Sequence, residues 1–488
     1  MAQGENILPD PPLYGSVPGK RLASALTVKS NSVWLDTTAG DHPPALDGNL
    51  DVDVCVIGAG ISGGTTAYLL SKAGRSVALI DDRHPGAGET GMTTAHLTAV
   101  IDDRYTEILR LHGEEGARLA CDSHRSAIAR IESICQQEGI DADFRRVSGY
   151  LFLAPGHGED DLNEEMAAAR LAGLDVEKLA RAPVEGFDSG ACLHFPRQAQ
   201  FHPMKYLQGL VAACRSAGVH VHGGVRATAV HGGQPATVET STGVRITSKW
   251  VVVATNSPFV DLFAIHTKQA PYYTYVVAAR LPHGSVTPAL YWDTQDPYHY
   301  VRLERTTNRA LGGDNDDPVD LLIVGGEDHK TAQASDTEAR FDALDRWMRD
   351  HFPSAGPLEY RWSGQVMETQ DGLGFIGRNP MDADNVFVIT GDSGMGMTHG
   401  TLGGIIVADL VLVRTGLSRL RRRGRGQPAH AGQWLGTVPP GPGGLLRGGS
   451  ARPGLEGGRA TRYAKQRRAR WPHPACSLLD RSRRRRRG

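Results

Sequence analysis

From Val52 the chain alternates apolar and polar positions through Val54, Val56 and Ile57, then breaks into glycines. It resumes as a helical stretch from Thr65 to Ala73 and returns to an apolar run from Ser76 to Ile80. A period of two that gives way to 3.6 and back again predicts strand, turn, helix and strand, a βαβ unit. Further helical periodicity covers Tyr105 to Glu138, Asp161 to Leu171, residues 204 to 217, Ala339 to His351 and a closing apolar stretch from Leu402 to Val413. Short apolar segments read as strands at Tyr150 to Leu153, Val219 to Val221, Ala227 to Val230, Val238 to Thr240 and Trp250 to Ala254. Others follow at Tyr272 to Ala278, Tyr298 to Leu303, Leu321 to Val324 and Val386 to Thr390. The layout is α/β with interleaved segments. Residues 1–50 read as a leader over the folded body, with Trp34 as a packing anchor.

Charge divides the 488 residues into two unlike parts. Residues 1–413 carry 33 basic and 52 acidic side chains, and residues 414–488 carry 20 and 2, so the formal charge of -1 is an average. Forty of the last 75 residues are Arg, Gly or Pro, and Ile and Phe are absent there, a composition that cannot build a core and predicts disorder. Arg421 to Arg423 and Arg483 to Arg487 could contact phosphates of nucleic acid or an anionic surface. The lack of interleaved aromatics and the acidic body weigh against that class. No uninterrupted run of 18 to 20 apolar residues marks a membrane span. The six cysteines form no CxxC pair, so neither a zinc site nor a disulfide framework is expected, and a reducing cytoplasm fits.

The chemistry starts at Gly58-Ala59-Gly60-Ile61-Ser62-Gly63, a GxGxxG placed after a strand and opening a helix. Gly58 suits the tight turn, Gly60 lets a pyrophosphate approach the backbone, and Gly63 lets helix and strand pack closely. The helix start, with Ile61 and Ser62, offers unpaired N–H groups to phosphates. Asp81 ends the second strand 23 residues after Gly58, where a carboxylate can accept from both ribose hydroxyls. A dinucleotide is expected here.

Three further segments bear on which dinucleotide binds. Trp250 to Asn256 (WVVVATN) is similar to the late Ala-Thr-Gly strand of two-dinucleotide-fold flavoproteins. Asp371 to Gly377 (DGLGFIG) and Val386 to Gly400 (VFVITGDSGMGMTHG) resemble the closing flavin segment of the D-amino-acid-oxidase-like superfamily, which includes glycine, sarcosine and γ-glutamylputrescine oxidases. The resemblance spans about residues 50–413. It implies a Rossmann-like FAD-binding domain (51–145, 200–265 and 360–416), an interleaved α+β substrate domain (146–199 and 266–359), the leader (1–50) and a disordered tail (417–488). It also implies that FAD is held by Gly58, Gly60, Ile61, Ser62, Gly63, Asp81, Ala227 and Thr255 on one side. Thr93, Thr94 and Ala95 would pass the flavin, and Gly394, Met395, Gly396, Met397 and Thr398 would aim amides at its N1 and C2=O edge. No metal is implied within this body. His96 lies in the flavin-passing segment, but related enzymes with histidyl-linked FAD place their histidine nearer Thr93, so no covalent bond is expected.

On the substrate side the aromatic stretch Ala289 to Leu303 stands out. Strand periodicity puts Tyr298, Tyr300 and Arg302 on one face and His299 on the other, and these four are the candidate catalytic residues. Family resemblance makes the matching sheet a roof over the flavin, with Gly325 to His329 as a turn beside the pocket; His202 reads as a helix N-cap. Glycine and D-amino-acid oxidases grip the substrate carboxylate with an arginine in a segment that here reads Gly364-Gln365-Val366-Met367. Valine cannot make a bidentate clamp, which favours a larger or N-substituted amine over a simple D-amino acid. The expected function is oxidation of an amine or amino-acid C–N bond by hydride transfer to flavin, with O2 or a redox partner as electron acceptor. A flavin protein without catalysis remains the alternative.

The body most resembles a subgroup in which the FAD domain is followed by a Rieske [2Fe–2S] domain, whose ligands come as two Cys-x-His pairs. Beyond Val413 there is one cysteine, Cys476, and no such pair, so that domain is expected to be absent. The abrupt change to residues of GC-rich codons suits translation of a shifted reading frame, and a genuine basic extension is the other reading.

Overall fold

A computed structural model describes residues 28–260 and 265–414. The expected disordered tail, 417–488, lies outside the described residues. Two sheets carry the chain. The first runs in the order Phe375–Arg378, Val386–Thr390, Arg245–Val253, Leu50–Ile57, Val77–Ile80, His220–His222. Along this order the five strands from Val386–Thr390 to His220–His222 are parallel, and the Phe375–Arg378 edge runs antiparallel. The segments Ala227–His231 and Ala236–Thr240 form an antiparallel meander that joins the start of Arg245–Val253.

Strand periodicity explains how this sheet is covered. Val54, Val56, Val77, Leu79 and Val252 point into one core with the helices Ile61–Lys72, Pro203–Ser216, Tyr105–Glu138 and Gly396–Arg414. Cys55, Ile57, Ala78, Ile80, Val251 and Val253 point the other way, onto the meander residues Ala236 and Val238 and onto Ile246 at the start of Arg245–Val253. Both faces being buried, the strands read as near-continuous apolar runs, as a parallel sheet requires.

The second sheet runs Leu358–Thr369, Gln269–Pro282, Pro318–Lys330, Tyr300–Thr307, Leu290–Asp293, Arg145–Phe152, Cys192–Gln200, His96–Leu97. All its contacts along this order are antiparallel except Leu290–Asp293 with Arg145–Phe152. Phe341, Leu344 and Met348 of the helix Thr337–His351 cover one face, against Val277, Val301 and Val324. The other face looks back toward the first sheet. Three of the segments that differ from the sequence-based picture bear on the site. Residues 360–369, grouped above with the FAD-binding pieces, complete the edge strand of the second sheet, in continuous register with Gln269–Ala278. Gly325 to His329, expected as a turn, stay in the strand Pro318–Lys330, because a bulge in its partner at Tyr273/Tyr275 absorbs the irregularity. The closing helix starts six residues earlier than its apolar stretch, at Gly396.

That helix holds an 18-residue window, Gly396–Val413, long and apolar enough by composition to cross a membrane. It escaped the search for an uninterrupted run because Thr, His, Gly and Asp409 punctuate it. Sixty-one per cent of the window is buried, so its apolar character is accounted for by core packing. Glycines set its position: a Cβ at Gly400 would lie 2.7 Å from Ser62 Oγ and one at Gly404 2.7 Å from Thr65 Cγ2. The helix crosses Ile61–Lys72 at backbone distance, and both helix starts open onto the same space.

Gly63 is the tightest point of this arrangement, since a Cβ there would sit 1.8 Å from the Gly58 carbonyl oxygen. Gly63→Ala should lower stability by at least the ~1–3 kcal/mol typical of overpacking. Thermal melts check this, and an unchanged Tm would contradict the packing described.

Candidate functional site

Between the two sheets lies one continuous cavity of about 790 Å³, in the range of cofactor sites. Its first end is the glycine turn. Gly58 has φ 101°, and a Cβ on it would meet the Ala254 carbonyl at 2.4 Å, so only glycine lets the turn pass the end of Arg245–Val253. The Asp81 carboxylate holds the turn: Oδ2 accepts from Ala59 N–H at 2.8 Å and Oδ1 from Arg83 N–H at 2.9 Å. Burial raises its pKa above the ordinary carboxylate value, against the pull of those two N–H donors. Gly58, Gly60, Ile61, Ser62, Asp81, Ala227 and Thr255 all line this end. Gly63 does not; it faces the strand.

Midway, Thr93, Thr94 and His96 line one wall. Ala95 is buried behind them with φ 60°. Outward from the cavity, Trp34 Nε1 donates to the Thr93 carbonyl at 2.6 Å and Trp362 Nε1 to that of Met92 at 2.8 Å. Opposite, Gly394, Met395, Gly396 and Met397 line the cavity at the start of the closing helix. Gly394 has φ 75° and no room for a side chain beside Asp102. Thr398, expected here, turns into the core, where its hydroxyl meets His124 Nδ1 at 2.9 Å.

Beneath the second sheet, Trp292, Tyr298, Tyr300, Thr274, Asp102, Asp328 and Val366 enclose the far end. The rings of Tyr298 and Tyr300 lie 5.4 Å apart, and Thr274 Oγ1 is 2.6 Å from the Tyr300 hydroxyl. Gly325 makes room for Tyr300, whose ring would lie 2.2 Å from a Cβ at that position. Tyr298 bonds to the Asp102 carboxylate, and burial first, then Asp102 and Asp328, keep its phenol protonated far above its usual range. His96 stands edge-on to Tyr300 at 5.7 Å, with its Nε2 buried and unbonded. Burial drops its pKa to about 3, so the ring is neutral.

Two of the four candidate catalytic residues are not brought to this space. His299 points through the sheet, bonding Asp293 at 2.7 Å and stacking on Trp347 at 4.4 Å; against the lowering by burial, Asp293 and Glu327 hold its pKa up at about 9. Arg302 is fully buried under the Met92–Ala95 segment. Its Nη1 donates to the carbonyls of Thr94 (3.2 Å), Ala95 (3.1 Å) and Phe201 (3.0 Å), its Nη2 pairs with Glu304, and its guanidinium lies over Trp34. Strand alternation put it on the correct face, but the segment beneath occupies the space between it and the cavity. His329 stacks on Tyr275 away from the cavity, and His202 caps its helix by accepting from Lys205 N–H.

Sequence reading missed Glu89 and Asp392. Glu89 Oε2 accepts from Gln365 N–H at 2.7 Å and Asp392 Oδ1 from Met367 N–H at 3.0 Å, so the pair pins the strand that carries Val366. Burial pushes Glu89 to about 7 and Asp392 to about 6. No local pattern marks Glu89, because its partner comes from a strand 276 residues away. One Cys-x-His spacing does occur, at Cys192-Leu193-His194. His194 is engaged by Glu177 and Ser148, and among the described residues no group of three or more His, Cys, Asp or Glu is placed to hold a metal.

The residues present fit a flavin dinucleotide: a glycine cradle that a Cβ would fill at one end, a ribose-accepting carboxylate, and two helix starts opening onto the middle. The family described as "DAO: FAD dependent oxidoreductase" matches residues 53–410. A Bacillus subtilis protein, YhfW, whose name gives it as a Rieske 2Fe-2S iron-sulfur protein, is 29% identical over 78% of this chain and 72% of its own length. The γ-glutamylputrescine oxidoreductase of Escherichia coli is 26% identical over 78% of this chain and 88% of its own length. Among solved structures, glycine oxidase from Geobacillus kaustophilus superposes with a TM-score of 0.61 at 19% identity, covering 77% of this chain and all of that one. L-proline dehydrogenase from P. horikoshii gives 0.60 at 16%, covering 76% and 96%.

Glu89 yields a pH prediction. Its carboxyl is raised from 4.5 to about 7 in the folded protein, so the stability tied to its protonated form is present below pH ~4.5 and is lost as pH rises through ~7. Glu89→Gln keeps the acceptor for Gln365 without the charge. Its Tm relative to the parent should therefore rise between pH ~5 and ~8.5, and an equal difference at both values would contradict the assignment.

Proposed function

The chain belongs to the DAO family of FAD-dependent oxidoreductases, and on that premise we propose that it oxidises a C–N bond of an amine that carries a further positive charge and no α-carboxylate. The observation that carries this reading is the charge of the substrate end. Asp102 and Asp328 stand beside Tyr298, Tyr300 and Trp292, while the strand position suited to a carboxylate clamp holds Val366. Three arginines line the cavity; Arg83 and Arg226 adjoin the Asp81 end, and Arg104 is tied to the Asp293 carbonyl. Carboxylates and aromatic faces together suit an alkylammonium group. One relative's name, γ-glutamylputrescine oxidoreductase, gives that protein a compound built on a diamine.

Bound FAD supplies a two-electron acceptor: a hydride leaves the carbon that bears nitrogen, and water hydrolyses the resulting imine. The chain's own residues place and shield. Gly58, Gly60, Ile61, Ser62, Asp81, Ala227 and Thr255 hold the ADP half. Thr93, Thr94 and the Gly394 to Met397 amides hold the flavin half, where the helix start favours negative charge. Tyr298 and Tyr300 orient the amine and remain protonated donors. His299 and Arg302 act at one remove, as supports of the sheet and of the Met92–Ala95 segment. Electrons leave to O2 or to a redox partner. A cytoplasmic setting belongs to the same reading, supported by the five described cysteines, all buried free thiols.

Anaerobic mixing of the purified holoenzyme with a panel of amines and amino acids tests it. Diamines should bleach the yellow flavin, glycine and D-amino acids should not, and Asp328→Asn should raise the half-saturating diamine concentration about tenfold with FAD retained. Bleaching by α-amino acids at lower concentrations than by any amine would overturn the proposal.

A further inference from the structure

Beneath the Gly394–Thr398 turn, two histidines meet in the core. His124 lies midway along Tyr105–Glu138 and is 1% exposed; His399 lies in the first turn of the closing helix and is 3% exposed. Their Nε2 atoms are 3.3 Å apart, with the rings edge to face. His399 Nδ1 is 2.6 Å from the Asp392 carbonyl oxygen, and His124 Nδ1 is 2.9 Å from Thr398 Oγ1.

For neutral rings only one placement of protons satisfies all three contacts. A carbonyl only accepts, so His399 is protonated at Nδ1 and presents a lone pair at Nε2. His124 must then donate from Nε2, which leaves its Nδ1 to accept from the Thr398 hydroxyl at 2.9 Å, in place of that hydroxyl's longer 3.2 Å contact with the Met395 carbonyl. The Thr98 carbonyl is a competing partner for His124. A proton turned toward it from Nδ1 would leave two lone pairs facing each other at 3.3 Å. Burial holds both rings below the usual histidine range, so they stay neutral near pH 7. Reversing the chain would require a carbonyl to donate, so the arrangement cannot conduct a proton. It is a brace.

What it braces faces the cavity. The Asp392 carbonyl that takes the His399 proton also accepts from Met395 N–H at 2.8 Å, closing the turn around Gly394. We propose that His124 is a positioning residue: through His399 it fixes the Asp392–Met397 turn, and with it the amides at the start of the closing helix, against the flavin. This rests on reading that turn as the flavin site.

His124→Leu should weaken FAD binding about tenfold or more, since it leaves the His399 Nε2 unpaired in the core, while the Thr398 hydroxyl keeps only the Met395 carbonyl at 3.2 Å. It should also move the flavin midpoint potential to more negative values, because displaced amides stabilise the reduced anion less. His124→Gln, which keeps an N–H donor, should recover most of both. A folded His124→Leu with wild-type FAD affinity and potential would overturn the proposal. Should that variant not fold, 15N NMR of histidine-labelled wild-type holoenzyme decides. Protons on His124 Nε2 and His399 Nδ1 support the brace, and a proton on His124 Nδ1 refutes it. None of these readouts uses an amine, so they stand or fall apart from the substrate assignment.

Discussion

Four consecutive carbonyls, from Met92 to Ala95, are each taken by a buried donor from a distant part of the chain: Trp362, Trp34 and, for the last two, Arg302. A run of backbone this short forms no ladder of its own, and each carbonyl left unpaired in the core would cost ~1–3 kcal/mol. The donors come from the leader and from two strands of the second sheet, so this segment joins the two halves of the molecule. Ala95 sits at φ 60°, a conformation that persists only where surrounding bonds impose it. With its carbonyls drawn outward, the segment turns Thr93, Thr94 and His96 to the cavity. Arg302 is buried at a cost that its three carbonyl partners and Glu304 together offset.

The opposite wall rests on a second constraint, the close crossing of two helices through Gly400 and Gly404 over Ser62 and Thr65. That contact sets both helix starts at one cavity. The glycine turn lies at the dinucleotide end and the Gly394–Met397 turn at the middle, with a partial positive charge at each. Beyond them the lining changes to carboxylates and aromatic rings. One cavity thus offers anion-binding groups where phosphates and a reduced flavin would lie and cation-binding groups where an amine would approach.

Much of this was legible in sequence because it is local. The βαβ unit, its glycines and Asp81 follow from periodicity and spacing within thirty residues, and the structure puts Gly58 and Gly63 where a Cβ would run into backbone carbonyls. The long helix Tyr105–Glu138 and the strand Val386–Thr390 are also read at their observed bounds. What escaped depends on pairing across the chain. The strands Cys192–Gln200 and Leu358–Thr369 are built from mixed polar residues and are defined by their neighbours. Arg302 shares a face with Tyr300, as alternation requires, yet alternation says nothing of the segment lying between it and the cavity. Glu89 had no local mark. His124 left a fainter one, a histidine among Cys121, Ala127, Ile128 and Ile131 on an otherwise apolar helix face.

Arg302 holds the Met92–Ala95 segment from behind, and on the proposed reading it supports the flavin and does not bind substrate. The double variant Arg302→Met/Glu304→Met removes both members of the buried pair and leaves no stranded charge. Equilibrium FAD titration, followed by steady-state kinetics at saturating FAD, tests the claim most directly. The account predicts weakened FAD binding with an amine KM unchanged once the cofactor is restored; wild-type FAD affinity together with a raised KM would contradict it.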